Sequence, residues 1–243
     1  ATDAGLDFDI RGAGKIEFDL TQELIALAET HDLARLSNHG VTLIERRPPA
    51  LRVGRASVTP PAGGFLQATV AGEQALADLA LAEIASEKSI ADLFAGVGTF
   101  ALRLAERAEV HAVEQDQAAL TALSKAARAA SGLRRVTTEA RDLFRRPLLR
   151  AELGRYDAVV FDPPRAGAEA QARELAASDA PLAIGISCNP QSFARDARIL
   201  VDGGYALEQA TPVDQFRYSA HVEIVGVFRR ATRKKPKRGL LSR

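Results

Sequence analysis

From Ser89 onward the chain alternates short apolar runs with Ala-rich helical stretches, and this rhythm constrains the fold more than any other feature. The runs are Ile90–Phe94, Glu109–Val113, Arg135–Thr138, Asp157–Phe161 and Leu182–Ser187, with helices fitting at 99–107, 116–130, 168–178 and 191–202. Strand–helix alternation of this kind builds a parallel sheet with right-handed crossovers, an α/β fold. The ending differs. Tyr205–Val213 and His221–Phe228 read as strands with no helical pattern between them, which predicts a hairpin-like antiparallel pair at one sheet edge.

The first sixty residues have another texture. Leu6–Ile10, Lys15–Asp19 and Val41–Ile44 alternate with period two and read as half-buried antiparallel strands. A helix fits Thr21–Thr30, with Thr21 as its N-cap and Glu23 in its first turn, where a negative charge suits the helix dipole. Pro60-Pro61-Ala62-Gly63-Gly64 breaks the pattern, and a long helix fits Val70–Ser86. The expected organisation is a small α+β subdomain over 1–64, a larger α/β domain over 65–230, and a basic tail over 231–243.

Composition narrows the function. With 47% apolar and 26% charged residues the chain is an ordinary globular protein. Its longest apolar runs, such as Tyr156–Phe161, are too short to span a bilayer, and no secretory signal opens the chain, so no membrane partner is expected. The single cysteine, Cys188, excludes an internal disulfide, a Cys-x-x-Cys zinc site and an iron–sulfur cluster within these residues. No metal is expected, and a reducing cytoplasmic home and a monomer fit. The chain holds no Met and begins Ala-Thr-Asp, which is read as a fragment or a processed form. Eight Lys/Arg and no acid fall between Arg229 and Arg243, leaving 24 basic and 31 acidic residues elsewhere, a balance of −7. A basic tail on an acidic body points to a polyanion partner or to a merely solvated tail.

Five motifs carry possible chemistry. The first strand of the alternating region runs into Asp92-Leu93-Phe94-Ala95-Gly96-Val97-Gly98-Thr99. A Gly-rich strand-to-helix turn lets a ligand approach the backbone, although a tight turn alone would also use these glycines. Glu114 ends the second strand, 18 residues after Gly96, where an acid can accept both hydroxyls of a ribose. Together they indicate a nucleoside cofactor without separating NAD from S-adenosylmethionine. Asp162-Pro163-Pro164-Arg165 ends the fourth strand, and the prolines hold the carboxylate in a fixed direction. Cys188 ends the fifth strand just ahead of a helix near Pro190, whose N-terminus favours thiolate; a lone Cys is otherwise more often an inert core residue. Glu223 sits in an otherwise apolar last strand and either faces outward or is buried with a partner or a raised pKa.

In this order and spacing DLFAGVGTF, Glu114, FDPPRAG, SCNP and HVE resemble the RNA uracil-5-methyltransferases, bacterial enzymes that make 5-methyluridine in tRNA and 23S ribosomal RNA. Phe65-Leu66-Gln67 resembles the family's Phe-x-Gln segment, and the resemblance runs to Phe228. It implies a Rossmann-like class I methyltransferase sheet, S-adenosylmethionine as cofactor and structured RNA (rRNA or tRNA) as partner. It further implies Cys188 as nucleophile and Glu223 as general base. Asp162 and Gln67 would meet the target base. Gln67, Phe94, Gly96, Gly98, Thr99, Glu114, Asp142 and Asp162 would form the cofactor side. The sequence departs from the family at Ala95, where a Cys is common, and at Thr69, where Asn is frequent. The N-terminal RNA-binding barrel and four cluster cysteines known in the family are not within these residues.

The chemistry accounts for the residue types. Carbon 5 of uracil becomes nucleophilic only after a thiolate adds at carbon 6, and a base must then remove the carbon 5 proton. Alternatives remain. An adenine or glutamine amino-methyltransferase would carry an aromatic residue where Arg165 stands. An NAD oxidoreductase would leave Cys188 and Glu223 unexplained. A non-enzymatic RNA-binding or RNA-folding module would have no need of either.

Overall fold

The computed structural model describes residues 1–216 and 218–230; the basic tail predicted over 231–243 lies outside them. Strand β1 (Asp7–Ile10) pairs in parallel with β2 (Arg35–Asn38), which pairs antiparallel with β3 (Val41–Glu45). Helix α1 (Phe18–Thr30) packs Ala28 and Leu24 against Leu33 of the following turn and Leu36 and Ile44 of this sheet. The strand expected over Lys15–Asp19 does not form. Phe18 is 74% exposed and opens the helix instead, because the alternation there had no partner strand while the apolar stripe of α1 had a sheet to cover. Glu17 therefore takes the N-cap position, and Thr21 lies inside the first turn, donating its hydroxyl to the Glu17 carbonyl at 2.9 Å.

Strands β4 (Leu51–Val53) and β5 (Ala56–Val58), unforeseen in the sequence, form a hairpin turning at Gly54 with φ +56°. Only glycine enters that region without cost, so Val-Gly-Arg-Ala was the available signal. Helix α2 (Val70–Ala82) is capped by the Thr69 hydroxyl, which accepts from Gly72 N–H at 2.9 Å. It stops four residues short of Ser86, where the Glu87 carboxylate takes the N–H groups of Ala85 and Ser86.

The parallel strands follow as β6 (Ser89–Leu93), β7 (Glu109–Glu114), β8 (Val136–Ala140), β9 (Ala158–Phe161) and β10 (Leu182–Ser187). Between them lie α3 (Ala101–Leu104), α4 (Gln117–Ala129), α5 (Arg150–Leu153) and α6 (Glu169–Ala176). After β10 come α7 (Pro190–Asp202), β11 (Tyr205–Val213) and β12 (Glu223–Arg230). The seven strands order as β11-β12-β10-β9-β6-β7-β8, with β12 antiparallel to both β10 and β11, so the edge pair forms as the sequence implied. Strand β12 opens at Glu223, two residues later than expected. Every residue of β9 and β10 is buried, as helices on both faces require. Leu76, Leu104 and Leu123 fill one face and Leu153, Leu175 and Leu200 the other. The β4–β5 hairpin shares a third cluster with Val97, Leu102 and Ala126 beside α4.

Candidate active site

In an open parallel sheet the ligand crevice lies beyond the carboxyl ends of the strands, where the strand order reverses. Here β6 is flanked by β9 on one side and β7 on the other, and a cavity of about 690 Å³ opens over their carboxyl ends. That is the size of an ordinary small-molecule site. Gln67, Phe94, Gly96 and Thr99 line it, as do Glu114, Asp162, Cys188 and Glu223. Two further sequence candidates do not. Gly98 is a packing residue: its φ is +96°, and a Cβ would come within 2.8 Å of Leu123 Cγ. The Asp142 carboxylate accepts from the backbone of Phe144 at 3.0 Å and Arg145 at 3.2 Å, so it shapes the turn that brings Phe144 to the cavity.

At one end of the cavity Glu114 is fixed by the backbone. It accepts from Gly96 N–H at 3.0 Å, Gln115 N–H at 2.7 Å and Asp116 N–H at 2.9 Å. Gly96 has φ +53° and Phe94 has φ +60°, a conformation costly for an aromatic residue and typical of functional turns. The Phe94 ring tilts against Phe144, centroids 5.5 Å apart. Beneath the turn, the fully buried Asp92 has no hydrogen-bond partner for either oxygen among the described residues. Burial first, and then the charge of Asp162, pushes it well above the usual carboxylate range.

The other end is held by side chains. Asp162 Oδ2 accepts from Gln67 Nε2 at 3.1 Å, and Glu223 Oε1 accepts from Gln215 Nε2 at 3.2 Å. Burial, joined by the charge of Glu223, pushes Asp162 up to about 7 against the opposing Gln67 bond. Burial likewise raises Glu223, opposed by Gln215. Glu223 is only 4% exposed, which settles the direction in which its strand turns it. Cys188 lies between β10 and α7, with Asn189 capping the helix and Pro190 in its first turn. The helix was expected to favour thiolate. Instead the thiol is raised, by burial first and then by Glu223 and Asp162, with Arg165 opposing. Among the described residues no group of three or more His, Cys, Asp or Glu could hold a metal, and no helix is long and apolar enough to cross a membrane.

The sheet order and the cavity give the architecture of Rossmann-like class I methyltransferases. The P. abyssi tRNA (uracil-54, C5)-methyltransferase, solved with S-adenosyl-L-homocysteine, superposes with a TM-score of 0.61 at 23% identity, over 74% of this chain and 43% of that one. Residues 61–232 match the model of the tRNA (uracil-5-)-methyltransferase family, and the chain belongs to that family. An uncharacterized RNA methyltransferase of Brucella suis is 52% identical over 227 residues, 93% of this chain and 55% of the relative. The 23S rRNA (uracil(1939)-C(5))-methyltransferase of Chromohalobacter salexigens is 40% identical over 173 residues, 70% of this chain and 36% of the relative. The chain thus spans about half the length of the first curated relatives it matches.

Proposed function

We propose that this chain carries the catalytic centre of an S-adenosylmethionine-dependent methyltransferase acting on carbon 5 of a uridine in ribosomal or transfer RNA, with Cys188 as covalent nucleophile. The observation that carries the reading is the meeting of Cys188, Glu223 and Asp162 in one cavity with Glu114.

The residues fit that cofactor better than a dinucleotide. A dinucleotide fold offers the N–H groups of its glycine turn to a pyrophosphate. Here Gly96 N–H is already given to Glu114. Glu114, Asp116, Asp162 and Glu223 line the cavity, and of the two arginines there Arg141 spends its guanidinium on Glu139 and Glu152. Such a lining repels phosphates and suits a nucleoside bearing a positive sulfonium. Glu114 would hold the ribose, with Phe94 and Phe144 beside the adenosine. When bound, the cofactor supplies an electrophilic methyl group.

The remaining steps belong to the protein. Cys188, as thiolate, bonds to carbon 6 of the uracil, and the electron pair of the 5,6 double bond moves into an enolate. Asp162 with Gln67 meets the polar edge of the base. Once carbon 5 carries the new methyl group, Glu223 removes its proton, the double bond re-forms and the sulfur–carbon bond breaks. A raised Glu223 is a stronger base, as this last step requires. A uridine in folded RNA must first leave its stack.

The test is the order of failure. Cys188→Ala should abolish the protein–RNA adduct, while Glu223→Gln should let it form and accumulate. RNA containing 5-fluorouridine should trap the parent protein in the same state, because fluorine cannot leave as a proton. An adduct in Cys188→Ala, seen on a denaturing gel, would exclude this mechanism.

A further inference from the structure

Gln215 belongs to none of the motifs, yet it touches both halves of the catalytic end. It lies in the segment between β11 and β12. Its amide nitrogen donates to Glu223 Oε1 at 3.2 Å and to Gln67 Oε1 at 3.3 Å. An amide NH₂ has two N–H groups, and both are used. Its oxygen lies 3.5 Å from the Thr69 hydroxyl. That hydroxyl accepts from Gly72 N–H at 2.9 Å, which leaves its own proton free for Gln215. Gln67 in turn donates to Asp162 at 3.1 Å.

The bonds therefore run in one direction, from the cap of α2 to the two carboxylates. An amide side chain can be turned over, exchanging its oxygen and nitrogen, unless its partners forbid it. Thr69 as donor fixes the Gln215 oxygen. Gln215 as donor fixes the Gln67 oxygen, and this obliges the Gln67 NH₂ to face Asp162. Space for the arrangement comes from Gly72: a Cβ there would collide with Gln215 Oε1. Gly72 has no need of a positive φ, and glycine inside a helix is otherwise a liability. Thr69, a departure from the family pattern, has its place as the first donor.

We propose that Gln215 is the positioning residue of the catalytic end, holding Glu223 directed into the cavity and, through Gln67, setting the face that Asp162 and Gln67 present to the base. This rests on the reading of Glu223 as the proton acceptor. Loss of the Gln215 amide removes a donor to the ionised form of Glu223, so a higher pH is needed to ionise it.

The experiment measures methyl transfer against pH, and adduct accumulation, on an in vitro transcript of 23S ribosomal RNA. It uses Gln215→Leu, Gly72→Ala and Glu223→Gln, with S-adenosylhomocysteine affinity and thermal unfolding as checks. Gln215→Leu should move the acidic limb of the profile up by about one pH unit, slow turnover about tenfold and accumulate adduct, with cofactor affinity kept. Gly72→Ala, a change that favours the helix, should shift the limb the same way by displacing Gln215. Folded variants with the parent's acidic limb and no adduct would overturn the proposal. Glu223→Gln separates the two failures. If it accumulates adduct while Gln215→Leu and Gly72→Ala do not, Gln215 alone loses its role. If none of the three does, the base assignment falls and this inference with it.

Discussion

The two ends of the cavity are built by opposite means. At the Glu114 end three backbone N–H groups, from residues 96, 115 and 116, fix one carboxylate. At the Asp162 end, among the described residues, Gln67, Gln215 and Thr69 hold two carboxylates by side-chain bonds. Backbone donors at a strand end are set by the fold itself and cost nothing further to order. Side-chain networks must each be ordered, and they sit where burial has already pushed the acids upward. The first arrangement suits a group that binds the same way throughout a cycle. The second suits groups whose protons must move.

The largest effect that separates the ends, after loss of the Cys188 thiol, is on cofactor affinity. Glu114→Ala removes the proposed ribose acceptor and leaves three N–H groups unpaired. S-adenosylhomocysteine affinity should fall tenfold or more by calorimetry. Adduct formation with 5-fluorouridine RNA, measured at saturating methyl donor, should be nearly preserved. An equal loss in both would mean that the ends do not act separately.

The same contrast explains how much was legible. The Glu114 end could be read because its parts are local: a glycine turn, a strand, and an acid 18 residues on. Cys188, Asp162 and Glu223 could be placed beside the cavity because each falls at or next to the end of a strand. Gln215 could not. Its partners Thr69 and Gln67 lie 146 and 148 residues away, and no spacing rule reaches across that distance. Lys15–Asp19 shows the reverse error. Period two was present, but pairing decides a strand, and Lys15–Asp19 has no partner strand among the described residues; the helix that takes Phe18 buries Ala28 instead. Likewise Gly98 stands in the cofactor motif but outside the cavity lining, and a Cβ there would meet Leu123. A motif alone does not distinguish a glycine that admits a ligand from one that admits a neighbouring side chain.

A smaller effect tests the electrostatics of the catalytic end. Asp162 is pushed up to about 7 from an ordinary 3.8, so the folded state binds its proton more tightly than the unfolded chain does. That preference stabilises the fold fully below about pH 4, and is lost as pH rises toward 7. Asp162→Asn keeps the shape and removes the charge. At pH 8 the variant should be more stable than the parent by on the order of 1–2 kcal/mol in denaturant unfolding. The advantage should vanish near pH 4, and methyl transfer should be lost at both. A stability difference that does not change with pH would show that Asp162 is not held upward by its surroundings.

The smallest effect is the sharpest comparison, because the two ends carry matched helix caps. Asp116 caps α4 at the cofactor end, accepting from Ala118 N–H at 2.8 Å and Ala119 N–H at 3.3 Å. Asn189 caps α7 beside Cys188, accepting from Gln191 N–H at 3.0 Å. Removing either cap by alanine should cost about 1 kcal/mol of stability. The functional costs should diverge. Asn189 Nδ2 also donates to the Arg165 carbonyl at 3.0 Å, so it ties the cysteine turn to the Asp162-Pro163-Pro164-Arg165 turn. Asn189→Ala should slow adduct formation with 5-fluorouridine RNA severalfold and leave cofactor affinity alone. Asp116→Ala should do the opposite, because the Asp116 N–H is one of the donors that hold Glu114 and loosening that turn loosens the proposed ribose contact. If both variants lose cofactor affinity and adduct rate in the same proportion, the cavity answers as a single unit, and the division between a backbone-held and a side-chain-held end has no functional meaning.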